Sequence, residues 1–152
     1  MPRFSVPPVV AILVGVLLGL GAFTFRYAEG LSYFSNDPQA CANCHVMGDY
    51  LDTWLKSPHH GRATCNDCHV PHDPVGKLMS KAINGWNHSS KFTMQNYPDH
   101  LRITDMNARR LEHNCIGCHT EMVSEIFPSH EDSFGKDLRC VHCHAGVGHG
   151  PR

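Results

Sequence analysis

The chain has 152 residues, with 13 Lys and Arg against 14 Asp and Glu for a formal net charge of −1. That balance, with no basic run and no glycine-rich phosphate loop, gives no support for a nucleic-acid partner. Thirteen histidines and eight cysteines are far above ordinary usage, and beyond residue 35 there is little of the Val/Ile/Leu patterning that builds an aliphatic core.

The first expected element is the run PPVVAILVGVLLGLGAFTF, Pro7 to Phe25, which holds no charge and is preceded only by Arg3 and the amino terminus. It lies at the short end of a membrane-spanning helix and is somewhat long for the apolar region of a signal peptide. The following TFRYAEG makes a poor cleavage site, and Phe23, Phe25, Tyr27, Tyr33 and Phe34 cluster where an interfacial belt would lie. Residues 1–30 therefore read as a retained single-pass anchor with the amino terminus inside. Gly15, Gly19 and Gly21 suit close helix packing.

Residues 31–152 form the second expected domain, and their cysteines fall into four repeats of one motif. These are CANCH (Cys41, Cys44, His45), CNDCH (Cys65, Cys68, His69), CIGCH (Cys115, Cys118, His119) and CVHCH (Cys140, Cys143, His144). Two thiols one short turn apart can form thioethers to both vinyl groups of one haem, while the next residue turns an imidazole onto the iron. Zinc sites or a disulfide framework would use the cysteines equally well, but neither requires histidine after every second one. Four covalently bound haem c groups are expected, with porphyrin replacing the aliphatic core. Because c-type attachment takes place outside the bacterial cytoplasmic membrane, the haem domain belongs on the periplasmic side.

First cysteines at 41, 65, 115 and 140 are 24, 50 and 25 residues apart, which suggests two dihaem units separated by an insert. In the insert, Pro74 can open a helix. Leu78, Met79, Ala82, Ile83 and Trp86 form an apolar stripe, and Lys77, Lys81 and His88 lie along one side. Such a helix either packs its stripe and solvates its lysines, or rests at a lipid boundary.

Axial ligands are only partly readable. His45 and Met47 are too close in sequence to reach opposite faces of one haem, so they compete for the same face. His60, five residues before Cys65, and His149, five after His144, are each too near their own motif and should serve a different haem, with His59 a close competitor of His60. His72, His100, His113 and His130 receive no role, and Arg62, Arg102, Arg109, Arg110 and Arg139 are candidates for neutralising haem propionates.

The order of anchor, LSYFSNDPQACANCHVM, SPHHGRATCNDCH, KAINGWNHS, EHNCIGCH and CVHCHAGVGHG resembles the NapC/NirT family of membrane-anchored multihaem cytochromes, most closely its nitrite-reductase-linked branch. The resemblance implies a mainly α fold of one transmembrane helix and a compact tetrahaem domain with long haem-wrapping loops and little or no sheet. It implies a quinol dehydrogenase subunit in the inner membrane that oxidises menaquinol and passes electrons to the pentahaem catalytic subunit of a periplasmic nitrite reductase, without reducing nitrite itself. It assigns Met47 to the first iron, His60 to the fourth haem and His149 to the third, and it leaves the second haem open to a ligand from the partner. It also places Lys81 and His88 at the quinol pocket. A histidine at position 88 replaces an aspartate found in part of the family, so His88 is either a proton acceptor or a ligand of the first haem. A general electron hub serving several reductases is the alternative function, and haem-based sensing or peroxidase chemistry is a third.

Overall fold

The computed structural model describes residues 7–126 and 139–150. His130 and Arg3 lie outside the described residues. The chain divides into two compact units, Met1–Ser35 and Asn36–Arg152.

In the first unit, α1 spans Pro8–Tyr27, with proline at its first position, where no intrahelical N–H bond is needed. Its mean hydropathy is 2.3 and none of its residues is buried. Twenty residues at 1.5 Å each span about 30 Å, the thickness of a bilayer's hydrocarbon core. A helix that is apolar on every side and buries none of its residues has lipid as its natural solvent. Phe23 and Tyr27 stack at 5.9 Å near its end. Glu29, in the left-handed conformation, turns the chain into a 3-10 helix, Gly30–Phe34. The Phe25 ring lies where a side chain at Gly30 would project, so a larger residue there would have to displace that ring.

The second unit is helical, and no strand occurs among the described residues. Its elements are α2 (Pro38–Cys41), a 3-10 turn (His45–Met47), α3 (Gly48–Leu55), α4 (Cys65–His69), α5 (Pro74–Met94), α6 (Asp105–Cys118), α7 (Thr120–Ile126) and α8 (Cys140–Cys143). Local chemistry starts most of them. Asp37 accepts from Gln39 N at 2.9 Å, and Asp73 accepts from Gly76 N at 2.6 Å just before Pro74 opens α5. Thr64 and Asp67 form a reciprocal capping box on α4. Gln95, at φ 53°, ends α5.

The interior is not aliphatic. Val70 and Ala108 are the buried hydrophobic residues among those described, accompanied by Ser80, Lys81 and Asn114. Helices α5 and α6 meet through polar groups instead. Arg110 donates to Ser80 Oγ at 2.9 Å and Asn107 Oδ1 at 3.1 Å, and Asn107 Nδ2 donates to Asn84 Oδ1 at 3.0 Å. Arg110 is thereby committed to protein groups, and Arg139 pairs with Asp105 at 3.5 Å. Neither was expected from the sequence, which offered both as propionate partners.

Candidate haem and quinol site

Each cysteine motif is built into a helix or its end. Cys41 closes α2, CNDCH is α4 itself, Cys115 and Cys118 end α6, and Cys140–Cys143 form α8. In the second, third and fourth motifs one helical turn separates the two thiols and brings both to the same side, whereas Cys44 of the first lies in the turn after α2. None of the eight cysteines is joined to another in a disulfide. No three described His, Cys, Asp or Glu residues converge as a metal-holding cluster.

The motifs are neighbours in space in the order they occur in the chain. The thiols of Cys41 and Cys65 are hydrogen-bonded to each other, which lowers the pKa of Cys41 to about 7 and raises that of Cys65. Cys68 lies close enough to Cys118 and Cys115 for their charges to interact, and burial raises its pKa and that of Cys115. Cys140 in turn is near Cys115, and Glu112 accepts from its thiol at 2.8 Å and from its backbone N–H at 3.1 Å. Burial, then the Glu112 hydrogen bond and charge, push the Cys140 thiol up to about 12.

Imidazoles from distant segments meet in pairs. The ring of His149 lies 6.1 Å from that of His69 with 25° between planes, and the ring of His59 lies 6.1 Å from that of His119 at 83°. Two imidazoles holding one iron from opposite sides, with metal–nitrogen bonds of about 2 Å each, place their centroids roughly 6 Å apart. Tautomers agree with this spacing. His59 Nδ1 sits 3.0 Å from Val147 O and His149 Nδ1 sits 3.1 Å from Tyr50 O. A carbonyl only accepts, so each Nδ1 carries the proton and each Nε2 keeps the lone pair a metal needs. Burial, helped by His149, lowers His69 to about 4, which keeps its ring neutral. The residues present therefore fit c-type haem.

The resemblance implied that His149 serves the third haem and His60 the fourth. His149 meets His69, of the second motif, rather than His119 of the third. His60 is exposed and rests its ring edge-to-face on Trp54 at 5.0 Å, while half-buried His59 reaches the third motif. No described ring lies against His144. In the first motif, His45 is exposed and Met47 half-buried in the same 3-10 turn.

Lys81 is buried on α5 and lies near Cys41 of the first motif. Burial, then the charge of Lys77, holds its ammonium below the usual lysine range, while Cys41 acts in the opposite direction. His88 stands two turns further along the same side of α5, about 10 Å away along the axis. Partial desolvation of its ring, and then the Lys91 charge, lower its pKa.

Two residues absent from the sequence reading organise the site. Asn114, beside Cys115, donates to Cys68 O and Val70 O, both at 3.0 Å, tying the second motif to the third. Glu112 ties the third to the fourth. Nothing in their local sequence marks either, because their partners are 44 to 46 and 28 residues away.

Comparison with known proteins covers the entire chain. Residues 1–152 match the sequence profile of the NapC/NirT cytochrome c family, N-terminal region. The chain is 40% identical over 147 residues to cytochrome c-type protein NrfH of Wolinella succinogenes, covering 91% of this chain and 83% of that one. It is 32% identical over 139 residues to cytochrome c nitrite reductase subunit NrfH of Nitratidesulfovibrio vulgaris, covering 91% and 82%. Among solved structures it is similar to a chain of the cytochrome c nitrite reductase NrfHA complex bound to the inhibitor HQNO. The TM-score is 0.66 at 28% identity, covering 92% of this chain and 90% of that chain.

Proposed function

Since the chain belongs to the NapC/NirT cytochrome c family, we propose that it takes electrons from menaquinol in the membrane and delivers them to the catalytic subunit of a periplasmic nitrite reductase. Membership makes it a c-type cytochrome of electron transport, and its one apolar span makes it a single-pass membrane protein. The observation that carries the proposal is the spatial succession of the four cysteine motifs, from Cys41 against Cys65 through to Cys115 near Cys140.

Four bound haems would supply one-electron steps to a substrate that releases two electrons and two protons. The chain's own residues hold and position them. Each cysteine pair anchors one macrocycle. His69 with His149 and His119 with His59 are the pairs that would hold the second and third irons, a reading that the ring separations and proton placements support. Met47, better buried than His45, is the ligand in the first motif. His144 would serve the fourth haem.

Lys81 and His88 serve the quinol. A lysine with a lowered pKa beside Cys41 is placed to donate a hydrogen bond to a quinol oxygen near the first haem. His88, with a proton-free nitrogen at neutral pH, accepts a quinol proton.

Affinity isolation of the full-length protein from detergent-solubilised membranes tests the reading. A stoichiometric multihaem partner with nitrite reductase activity, and four haems per chain in a reduced pyridine spectrum, are expected. A lone haem protein that is reduced by menaquinol and feeds several soluble reductases would identify an electron hub instead.

A further inference from the structure

Helix α5 is built inside out. At 100° per residue, Val75, Leu78, Met79, Ala82 and Trp86 fall in a sector of about 100°. Lys77, Ser80, Lys81, Asn84 and His88 fall in a sector of similar width on the other side. A surface helix of a water-soluble domain turns the first kind of sector inward. Here it faces out: Val75, Leu78, Met79 and Trp86 are 72%, 60%, 53% and 75% exposed, whereas Ser80 is 0% and Lys81 7% exposed. The polar sector is the one that meets the rest of the unit, through Ser80 to Arg110, Asn84 to Asn107, and Lys77 to Asn36 at 3.0 Å.

We propose that the outward apolar face of α5 lies on the lipid surface of the membrane, partly immersed among the acyl chains beneath the headgroups. Three observations choose lipid as the occupant. The same polypeptide carries α1, an apolar span of mean hydropathy 2.3, so the membrane is permanently within reach of the second unit. The stripe is continuous, carries no charge and ends in a tryptophan, the residue favoured where an amphipathic helix meets the headgroup boundary. The haem-bearing elements meet α5 from the opposite side, where Lys81 neighbours Cys41, so a macrocycle held by that cysteine would be separated from the stripe by the thickness of the helix.

One consequence rests on the proposed quinol reaction. With α5 lying on lipid, Lys81 and His88 stand about one helix diameter, some 10 Å, from the acyl chains. A quinol leaving the acyl chains would have to pass around the flank of α5 to reach them. The lipid contact itself does not depend on that reading.

The experiment uses the full-length haem-loaded protein in nanodiscs whose phospholipids carry a photoactivatable diazirine in the acyl chain, without quinol or nitrite. After irradiation and digestion, mass spectrometry should find lipid adducts in α1, as the internal control, and on residues 75–86. The double variant Leu78→Glu and Trp86→Glu should lose at least nine-tenths of the α5 adducts, with α1 adducts and haem content retained. Adducts confined to α1 would overturn the proposal. So would α5 adducts that disappear when the nitrite-reducing subunit binds while those on α1 persist, since the face would then belong to a protein partner. Failure of quinol-dependent reduction with α5 adducts intact would count against the quinol reading alone.

Discussion

The ring of His149 stands 6.1 Å from that of His69, eighty residues earlier in the chain, while its Nδ1 proton goes to the carbonyl of Tyr50 at 3.1 Å. Replacing His149 with alanine should remove one axial imidazole from the second haem without removing any haem. The expected outcome is four haems per chain in the pyridine assay, with one low-spin signal lost from the electron paramagnetic resonance spectrum.

Adjacent histidines make a sharper comparison. His59→Ala should change the third haem in the same way, because His59 faces His119 and is oriented by Val147. His60→Ala should leave every low-spin signal in place, because that ring only rests on Trp54. A change in the fourth haem for His60→Ala, with His59→Ala silent, would restore the role that the family resemblance implied for His60.

Asn114 holds two backbone carbonyls of the second motif with one amide nitrogen, inside a region almost without apolar core. Asn114→Leu should lower the stability of the haem-loaded protein by about 2 kcal/mol, since both carbonyls lose a donor in a buried setting. Asn114→Asp should cost more at neutral pH, where a carboxylate would face two carbonyl oxygens. Guanidinium denaturation followed in the Soret band measures both.

Glu112 makes a charged pair of contacts with Cys140, of which the backbone N–H bond persists after the thiol becomes a thioether. Glu112→Gln keeps an acceptor for that N–H, whereas Glu112→Ala removes it. Alanine should destabilise by roughly 1–2 kcal/mol and glutamine by clearly less. Loss of the negative charge in either variant should raise the reduction potential of the fourth haem, read by spectroelectrochemical titration.

Lys81→Ala and His88→Ala should each slow reduction by a menaquinol analogue at least tenfold, with four haems retained and reduction by dithionite unaltered. Unchanged quinol kinetics in both would dispose of their role.

Acid provides a separate check on α4. The backbone N–H and hydroxyl of Thr64 hold the Asp67 carboxyl below its usual 3.8, against a smaller opposing effect of burial. A folded value below the unfolded one means the stabilisation is complete above the unfolded value and disappears as pH falls through the folded one. Asp67→Ala should therefore be less stable than the parent chain at pH 6, and the gap should narrow as the pH falls through and below the usual carboxylate range.

Much of this molecule was legible in its residues. The membrane span follows from an uncharged run of 19 residues, Pro7 to Phe25, because hydropathy and length are properties of a continuous segment. Helix α5 was announced by Pro74 and by the spacing from Leu78 to Trp86, and it begins at that proline. The haem attachments are readable because two thioethers and one imidazole must come from five consecutive residues. The pattern is local because the chemistry is local.

The axial pairs, the two ties made by Glu112 and Asn114, and the outward turn of the apolar stripe were decided only by tertiary structure. A second imidazole has to come from the far side of a macrocycle, and any of several histidines is chemically adequate. Folding places His59 beside His119 and His60 on Trp54, a difference that their adjacent positions in sequence do not carry. The stripe on α5 likewise reads the same whether it faces protein or lipid. Its direction is set by Ser80, Asn84, Asn107 and Arg110, whose mutual hydrogen bonds draw the polar side of the helix inward.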